Sequence, residues 1–279
     1  MTSILKKPIT IDKSSSLYDV ILKLLKHNIS RLIVTDDNSP VGIVTEKDLG
    51  IFLLTDDTER KLDEISLSEI IKKIISVDKN TEIDRCAEMM LKNKIGSLVI
   101  TSNDDVVGIL TKTELVQYFA NKYSGKKIVG EYMSPYYAWH YFDVPLYEVV
   151  LKMINEQISR IILRDHDETP VGIFTFRDLL KLVLNLGEQE DVLDNSDPMI
   201  SVIFPRKGFI SESGFGSSIK INEIMSKNIV SVNYDDDLAK TGKTLLDKNI
   251  NGAVVLSAHG TIIGVISKTD IIKALAFLK

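Results

Sequence analysis

The pattern of apolar and polar residues along this chain repeats four times. In the first copy, apolar residues recur at helical spacing from Leu17 to Leu25, and two β-rich segments follow at 31–35 and 41–44. A polar turn separates these segments, and a second apolar-periodic run begins at Glu46. Spacing at i, i+3 and i+4 predicts amphipathic helices, and short β-branched runs predict strands. With the extended stretch 8–11 in front, the first copy has the order β-α-β-β-α.

The other three copies predict the same order, so the fold class is α/β. Their first helices are expected at 82–93, 146–156 and 237–249, and their last helices at 112–122, 176–186 and 268–278. A signature that recurs along a chain indicates a recurring structural unit. The expected boundaries are 1–66 for repeat one, 67–124 for repeat two, 125–187 for repeat three, 188–218 for an insertion and 219–279 for repeat four. The polar linker 123–127 divides the chain into two halves, 1–124 and 125–279, and a short hairpin is expected at 199–204.

Each repeat ends its last strand in the same short motif. A glycine is followed by two apolar residues and a hydroxyl, and an acid stands three places after the hydroxyl. The four hydroxyl–acid pairs are Thr45 and Asp48, Thr111 and Glu114, Thr175 and Asp178, and Ser267 and Asp270. At the start of a helix this spacing is typical of a capping box, in which both side chains bond to unpaired backbone N–H groups.

The same motif also suits a phosphate-bearing ligand. A helix N-terminus offers unpaired N–H groups and partial positive charge, and a short carboxylate can accept hydrogen bonds from two ribose hydroxyls. Each motif has a basic neighbour, which adds to the case for an anion; these are Lys47, Lys112, Arg177 and Lys268. The residues alone leave the capping and the ligand-binding interpretations open, and Glu114 fits capping better.

Composition and charge limit the classes of function that the chain can have. The 279 residues are 44% apolar and carry a net charge of −5, which argues against a duplex nucleic-acid binder. No apolar run is long enough to span a membrane, and 1–10 lacks the apolar core of a signal peptide, so a cytoplasmic location is expected. The single cysteine, Cys86, is expected in the core. The four histidines lack metal-ligand spacing, and no P-loop or nucleophile elbow is present.

The order of elements and the motifs together resemble those of cystathionine-beta-synthase (CBS) domains. The resemblance rests on the Gly-h-h-Thr/Ser-x-x-Asp ending, on Met-Ser at 133–134 and 225–226, and on Ile-Ser-Arg at 29–31 and 158–160. It covers nearly the whole chain apart from the insertion. It implies pseudo-twofold pairs of repeats that bind AMP, ADP, ATP or S-adenosylmethionine in clefts between paired repeats. Four repeats in one chain are similar to the gamma subunit of AMP-activated protein kinase.

The resemblance also implies roles for particular residues. Asp48, Asp178 and Asp270 match the ribose-binding acid, and Thr45, Thr175 and Ser267 match the hydroxyl beside the phosphate. Arg31 and Arg160 match a basic residue that faces the phosphates. Thr10, Ser76 and Ser231 fall in the early strand that borders the adenine.

Two residues depart from the family pattern. Glu114 replaces the aspartate in repeat two, so the pair formed by repeats three and four is expected to hold the better sites. In repeat three the early-strand position is Trp139, which would stack on a base or plug the cleft.

The expected function is therefore a non-catalytic sensor of adenosine nucleotides that signals to a regulated protein. The apolar stripe of the last helix, Ile271, Ile272, Leu275 and Leu278, predicts packing between the two halves or a homodimer. The alternatives are a sensor of S-adenosylmethionine, an enzyme with its active site near Trp139, and a nucleic-acid-binding protein of the same family.

Overall fold

The computed structural model describes residues 4–56, 58, 60–103, 105–188 and 219–277, with backbone only for 184–188. The α/β class and the four β-α-β-β-α repeats are confirmed.

Repeat one contains β1 Thr10–Asp12, α1 Leu17–Lys26, β2 Arg31–Asp36, β3 Ser39–Thr45 and α2 Glu46–Thr55. Repeat two contains β4 Ser76–Asp78, α3 Ile83–Lys92, β5 Ser97–Ser102, β6 Asp105–Thr111 and α4 Lys112–Lys122. Repeat three contains β7 Trp139–Tyr141, α5 Leu146–Asn155, β8 Arg160–Arg164, β9 Pro170–Thr175 and α6 Phe176–Glu188. Repeat four contains β10 Ser231–Asn233, α7 Leu238–Asp247, β11 Gly252–Leu256, β12 Ile262–Ser267 and α8 Lys268–Phe277.

Each repeat forms its own three-stranded sheet. The first strand runs parallel to the second, and the second runs antiparallel to the third. The register shifts at the same place in all four sheets, between Val34 and Thr35 in repeat one and at the matching residues elsewhere. Because a bulge at one fixed register position is a specific feature, its fourfold recurrence supports the repeat assignment independently of the motifs.

The first helix of every repeat ends in the same way. A residue with φ between 49° and 57° follows the C-cap, and these residues are Asn28, Lys94, Gln157 and Asn249. A left-handed residue at this position lets the chain satisfy the last carbonyls of the helix, as when Ile29 N–H donates to Leu24 O at 3.0 Å. The sequence signal for this cap is weak because lysine and glutamine stand where glycine is usual.

The repeats group into two compact units. One unit contains 9–73 and 138–228, which is repeats one and three, and the other contains 1–8, 74–137 and 229–279, which is repeats two and four. Helices make these groupings: α1 and α2 pack against α6, and α3 and α4 pack against α8. The units therefore do not follow the halves 1–124 and 125–279, and the pairing of repeats adjacent in sequence stays a prediction.

Each unit has a continuous apolar core. In the one–three unit, Leu17 and Leu24 of α1 share one buried cluster with Leu180 of α6. In the two–four unit, Cys86 is fully buried, as expected, in one cluster with Ile271 and Leu275 of α8. The apolar stripe of the last helix is thus covered inside this unit, while Leu278 lies outside the described residues. The hairpin expected at 199–204 also lies outside them.

The third strand of each sheet gains a partner from another part of the same unit. Backbone bridges join Lys6 to Ile109, Lys72 to Ile43, Ser134 to Val265 and Ser226 to Ile173. The first member of each bridge is called a crossing residue below. Two crossing residues are lysines and two are serines, and each is bound beside the strand that leads into a hydroxyl–acid motif.

Candidate functional site

All four hydroxyl–acid motifs form the predicted helix cap. In repeat one, the Thr45 backbone N–H and the Thr45 hydroxyl both donate to Oδ2 of Asp48, at 3.0 and 2.6 Å. Asp48 N–H donates back to the Thr45 hydroxyl at 3.3 Å. The equivalent bonds to a single carboxylate oxygen occur in Thr111–Glu114, Thr175–Asp178 and Ser267–Asp270. Capping therefore uses one oxygen of each acid and leaves the other for a different partner.

The second carboxylate oxygen distinguishes the four motifs. Oε1 of Glu114 lies 3.0 Å from Lys6 Nζ, and Oδ1 of Asp270 accepts from Lys273 Nζ at 2.9 Å. Oδ1 of Asp178 accepts from the Ser226 hydroxyl at 3.1 Å. In the described part of the chain, no side chain forms a hydrogen bond or an ion pair with Oδ1 of Asp48. Asp48 is also only half-buried, whereas the other three acids are buried.

An arginine lies beside the hydroxyl in the one–three unit only. Strand register places Arg31 directly opposite Thr45 and Arg160 directly opposite Thr175. The same position is Ser97 in repeat two and Gly252 in repeat four. The structure thus brings the predicted phosphate-facing arginines to the predicted hydroxyls, and it does so in repeats one and three.

The early-strand residues also occupy equivalent register positions. Thr10 pairs with Ile33 in repeat one, and Ser231 pairs with Val254 in repeat four. Ser76 pairs with Val99, and Trp139 pairs with Ile162. The alignment of these four positions, which was read from the sequence, therefore matches the strand pairing.

Two basic neighbours of the motifs, Arg177 and Lys47, form contacts with other protein groups. Arg177 Nε lies 2.6 Å from Glu46 Oε1, and Lys47 Nζ donates to Gln157 O at 3.1 Å. These contacts join repeats one and three. A long-range contact that the local sequence does not reveal uses each of these two cations, and the anion-binding interpretation of the basic neighbours stays a prediction.

Repeats two and four are joined by a reciprocal pair of contacts. Lys112 Nζ donates to the Thr269 hydroxyl at 2.7 Å, and Lys268 Nζ donates to the Thr113 hydroxyl at 3.1 Å. In each contact, the lysine that directly follows one motif hydroxyl binds the threonine that directly precedes the acid of the other motif. The two repeats are therefore related by a local pseudo-twofold at their helix mouths.

Trp139 belongs to an aromatic cluster within repeat three. The Arg164 guanidinium lies 4.9 Å from the centre of the Trp139 ring, and Tyr141 packs edge-on to the indole at 5.5 Å. His166 follows, with its ring 5.1 Å from Tyr141 and its Nε2 3.1 Å from Asp143. The hydrogen bond from His166 lowers the pKa of Asp143. Because the guanidinium covers one face of the indole, that face is not open to a base.

Metal-ligand clusters and membrane-spanning helices are both absent from the described residues. No group of three or more histidine, cysteine or acidic side chains is placed to hold a metal ion in the described ranges. Within those ranges, no helix is long and apolar enough to cross a membrane.

Comparisons with known proteins agree with the repeat structure. The family described as "CBS domain" matches residues 1–52, 66–121, 129–185 and 221–277. The protein MJ1225 of Methanocaldococcus jannaschii is 21% identical over 287 aligned positions, which cover 97% of this chain and 96% of that protein.

Two solved structures share the fold over almost the whole chain. The crystal structure of MJ1225, described as a proposed archaeal homologue of g-AMPK, has a TM-score of 0.80 at 19% identity and covers 99% of both chains. A conserved protein of Pyrococcus horikoshii has a TM-score of 0.63 at 17% identity, also over 99% of both chains.

Proposed function

The chain belongs to the CBS-domain family, and we propose that it is a regulatory protein that binds adenosine nucleotides at the mouths of its motif helices. The observation that carries the proposal is the arrangement at the start of α2. There, one oxygen of Asp48 caps the helix, while the other forms no hydrogen bond or ion pair with a side chain of the described residues. One carboxylate can therefore hold the helix end and accept ribose hydroxyls at the same time.

Charge favours a ligand with phosphate. Arg31 lies opposite Thr45, and the first turn of α2 adds N–H groups and partial positive charge. Arginine is suited to phosphate because its fork of donors matches phosphate oxygens. AMP, ADP and ATP fit this environment better than S-adenosylmethionine, which carries a positive charge on sulfur. The description of MJ1225 as related to g-AMPK supports the same choice.

Repeat one offers the most complete set of groups. It combines Thr10, Arg31, Thr45 and an available Asp48, whereas repeat three has Trp139 in the early strand and repeat four has Gly252 in place of arginine. These groups favour repeat one as the best nucleotide site, whereas the sequence predicts the better sites in repeats three and four. The difference arises because two of the partners of the second oxygens come from distant sequence, Lys6 for Glu114 and Ser226 for Asp178.

The protein would act by population shift. Nucleotide can change the balance between two arrangements of the repeats only if it binds them with different affinity, and a partner protein would then distinguish them. The contact between Arg177 and Glu46 lies beside two of the motifs, where bound nucleotide would change the relative stability of the two arrangements. A cytoplasmic location, a homodimer and a regulated partner belong to this same proposal.

The test compares AMP with 2′-deoxy-AMP by titration of the full chain. The ribose 2′-hydroxyl is expected to donate to Asp48, and a hydrogen bond to a charged group contributes about 1.5–3 kcal/mol. Loss of that hydroxyl should weaken binding by about tenfold or more. Tighter binding of S-adenosylmethionine than of AMP would favour the sensor of S-adenosylmethionine. Equal affinity for AMP and 2′-deoxy-AMP would contradict the hydrogen bond from the ribose 2′-hydroxyl to Asp48.

A further inference from the structure

Glu114 is the one motif acid whose carboxylate forms an ion pair with a crossing residue in the described chain. Its Oε2 accepts from Thr111 N–H at 2.9 Å in the cap, and its Oε1 lies 3.0 Å from Lys6 Nζ. The Glu114 side chain is 5% exposed, and the Lys6 side chain is 68% exposed. Lys6 thus reaches from solvent to a buried acid, and both carboxylate oxygens have protein partners.

The backbone fixes Lys6 at this place. Lys6 N–H donates to Ile109 O at 3.3 Å, and Ile109 N–H donates to Lys6 O at 3.0 Å. Leu5 lies close against Gly108, where an added Cβ would stand 3.1 Å from Leu5 Cβ. This pairing fixes the backbone of Lys6 beside Glu114, so the ion pair requires ordering of the lysine side chain alone.

The other crossing residues provide an internal comparison. Ser226, bridged to Ile173, gives Asp178 a neutral hydroxyl at 3.1 Å, which can rotate to another acceptor, and the Lys181 ammonium lies farther from the same oxygen, at 3.9 Å. Lys72, bridged to Ile43, makes no contact with Asp48 among the described residues. An ammonium on the acid competes directly with ribose hydroxyls, and a charge-assisted hydrogen bond is about twice as strong as a neutral one.

We propose that Lys6 is a specificity-determining residue that excludes nucleotide from the motif of repeat two by occupying Glu114. The inference rests on the proposed function, because it concerns the same class of ligand. It adds that the number of nucleotide sites is smaller than the number of repeats, and that the N-terminal segment sets this number. The repeat with this ion pair is also the one whose acid is glutamate rather than aspartate. The extra methylene of Glu114 extends the carboxylate toward Lys6.

Calorimetric titration with AMP tests the stoichiometry of four full-length proteins. These are the wild type, Lys6→Ala, Lys7→Ala and the double variant Lys6→Ala/Glu114→Asp. Lys7 is the matched control because it is the next residue, is exposed and forms no side-chain hydrogen bond or ion pair among the described residues. The double variant, which restores a short acid without its lysine, should bind one more AMP than the wild type, and Lys7→Ala should equal the wild type.

The outcomes separate this inference from the proposed function. An unchanged stoichiometry in the double variant, with the wild type binding AMP, would overturn the role of Lys6 and leave the proposed function in place. Binding by the double variant alone would support the role of Lys6 and contradict nucleotide binding by the natural chain. Absence of binding in every protein would overturn both.

Thermal melting without ligand is the second readout. Lys6→Ala should lower the melting temperature in the wild-type background and should have no effect in a Glu114→Gln background, whereas Lys7→Ala should have no effect in either. Equal losses from Lys6→Ala in both backgrounds would show that Lys6 does not act through Glu114.

Discussion

At the scale of single residues, a capping acid can serve structure and ligand together. Two bonds from Thr45 occupy Oδ2 of Asp48, and Oδ1 forms no hydrogen bond or ion pair with a side chain of the described residues. The capping and ligand-binding interpretations of the motif are therefore compatible rather than exclusive. The sequence predicts the cap, since its partners are three residues apart, but it does not predict the partner of the second oxygen. Lys6 precedes Glu114 by more than a hundred residues, so only the tertiary structure brings them together.

Glu46 should give the chain a specific pH dependence. Burial raises the pKa of Glu46 above its ordinary value of 4.5, and the Arg177 guanidinium offsets part of this rise. A carboxyl with a raised folded pKa favours the folded state when protonated, so its contribution is lost as pH rises from 4.5 through the folded pKa.

The measurement compares the free energy of unfolding of the wild type and Glu46→Gln across pH 4 to 8. The difference, wild type minus variant, should fall with rising pH in the lower part of this range, because glutamine does not titrate. A difference that rises with pH would show that the ion pair with Arg177 outweighs burial.

Cys86 should be unreactive in the folded chain. Its thiol is fully buried, and burial raises its pKa to about 11. Because the thiolate is the reactive form, roughly one thiol in a thousand is ionised at pH 8. A thiol reagent such as Ellman's reagent should modify Cys86 only after denaturant is added. Rapid stoichiometric modification of the native protein would contradict this burial.

At the scale of elements, close helix packing depends on a glycine in α2. A Cβ at Gly50 would stand 2.1 Å from Cδ1 of Phe176, so the aromatic ring at the start of α6 occupies the space of a side chain. Gly50→Ala should therefore destabilise the protein by about 1–3 kcal/mol through overpacking, despite the better helix propensity of alanine.

Gly242 in α7 is the matched control. A Cβ there would meet Val116 Cγ1 at 3.1 Å and Ile271 Cδ1 at 3.5 Å, so small shifts can accommodate it. Gly242→Ala should change stability little, because the gain of about 1 kcal/mol in helix propensity offsets the tighter packing. Chemical denaturation of both variants checks the contrast, and an equal effect at the two glycines would contradict the packing argument.

The elements themselves were predictable, and their grouping was not. Periodicity placed α4 at 112–122 and β8 at 160–164 with the bounds that the structure has. The grouping of repeat one with repeat three depends on contacts such as Arg177–Glu46, which lie 131 residues apart. Such contacts leave no local pattern, so the sequence predicts neither Glu46 as the partner of Arg177 nor Gln157 as the partner of Lys47.

At the scale of the whole molecule, nucleotide should stabilise the fold. A ligand that binds only the folded chain adds about 2.7 kcal/mol at 100 times its dissociation constant. The melting temperature of the full chain should therefore rise with AMP, ADP or ATP and should depend on their concentration. Differential scanning fluorimetry checks this, and an unchanged melting temperature at millimolar nucleotide would contradict binding.

Titration of AMP into the wild type and the motif-acid variants tests the central claim most directly. Asp48→Ala removes both the cap and the proposed ribose acceptor. Asp19→Ala is its control, because Asp19 caps α1 in the same repeat with the same hydroxyl-x-x-Asp geometry. If Asp48 accepts the ribose hydroxyls, Asp48→Ala should weaken AMP binding about tenfold or more, while Asp19→Ala and Glu114→Ala should leave it unchanged. Equal affinity in Asp48→Ala and Asp19→Ala, or the largest loss in Glu114→Ala, would contradict it.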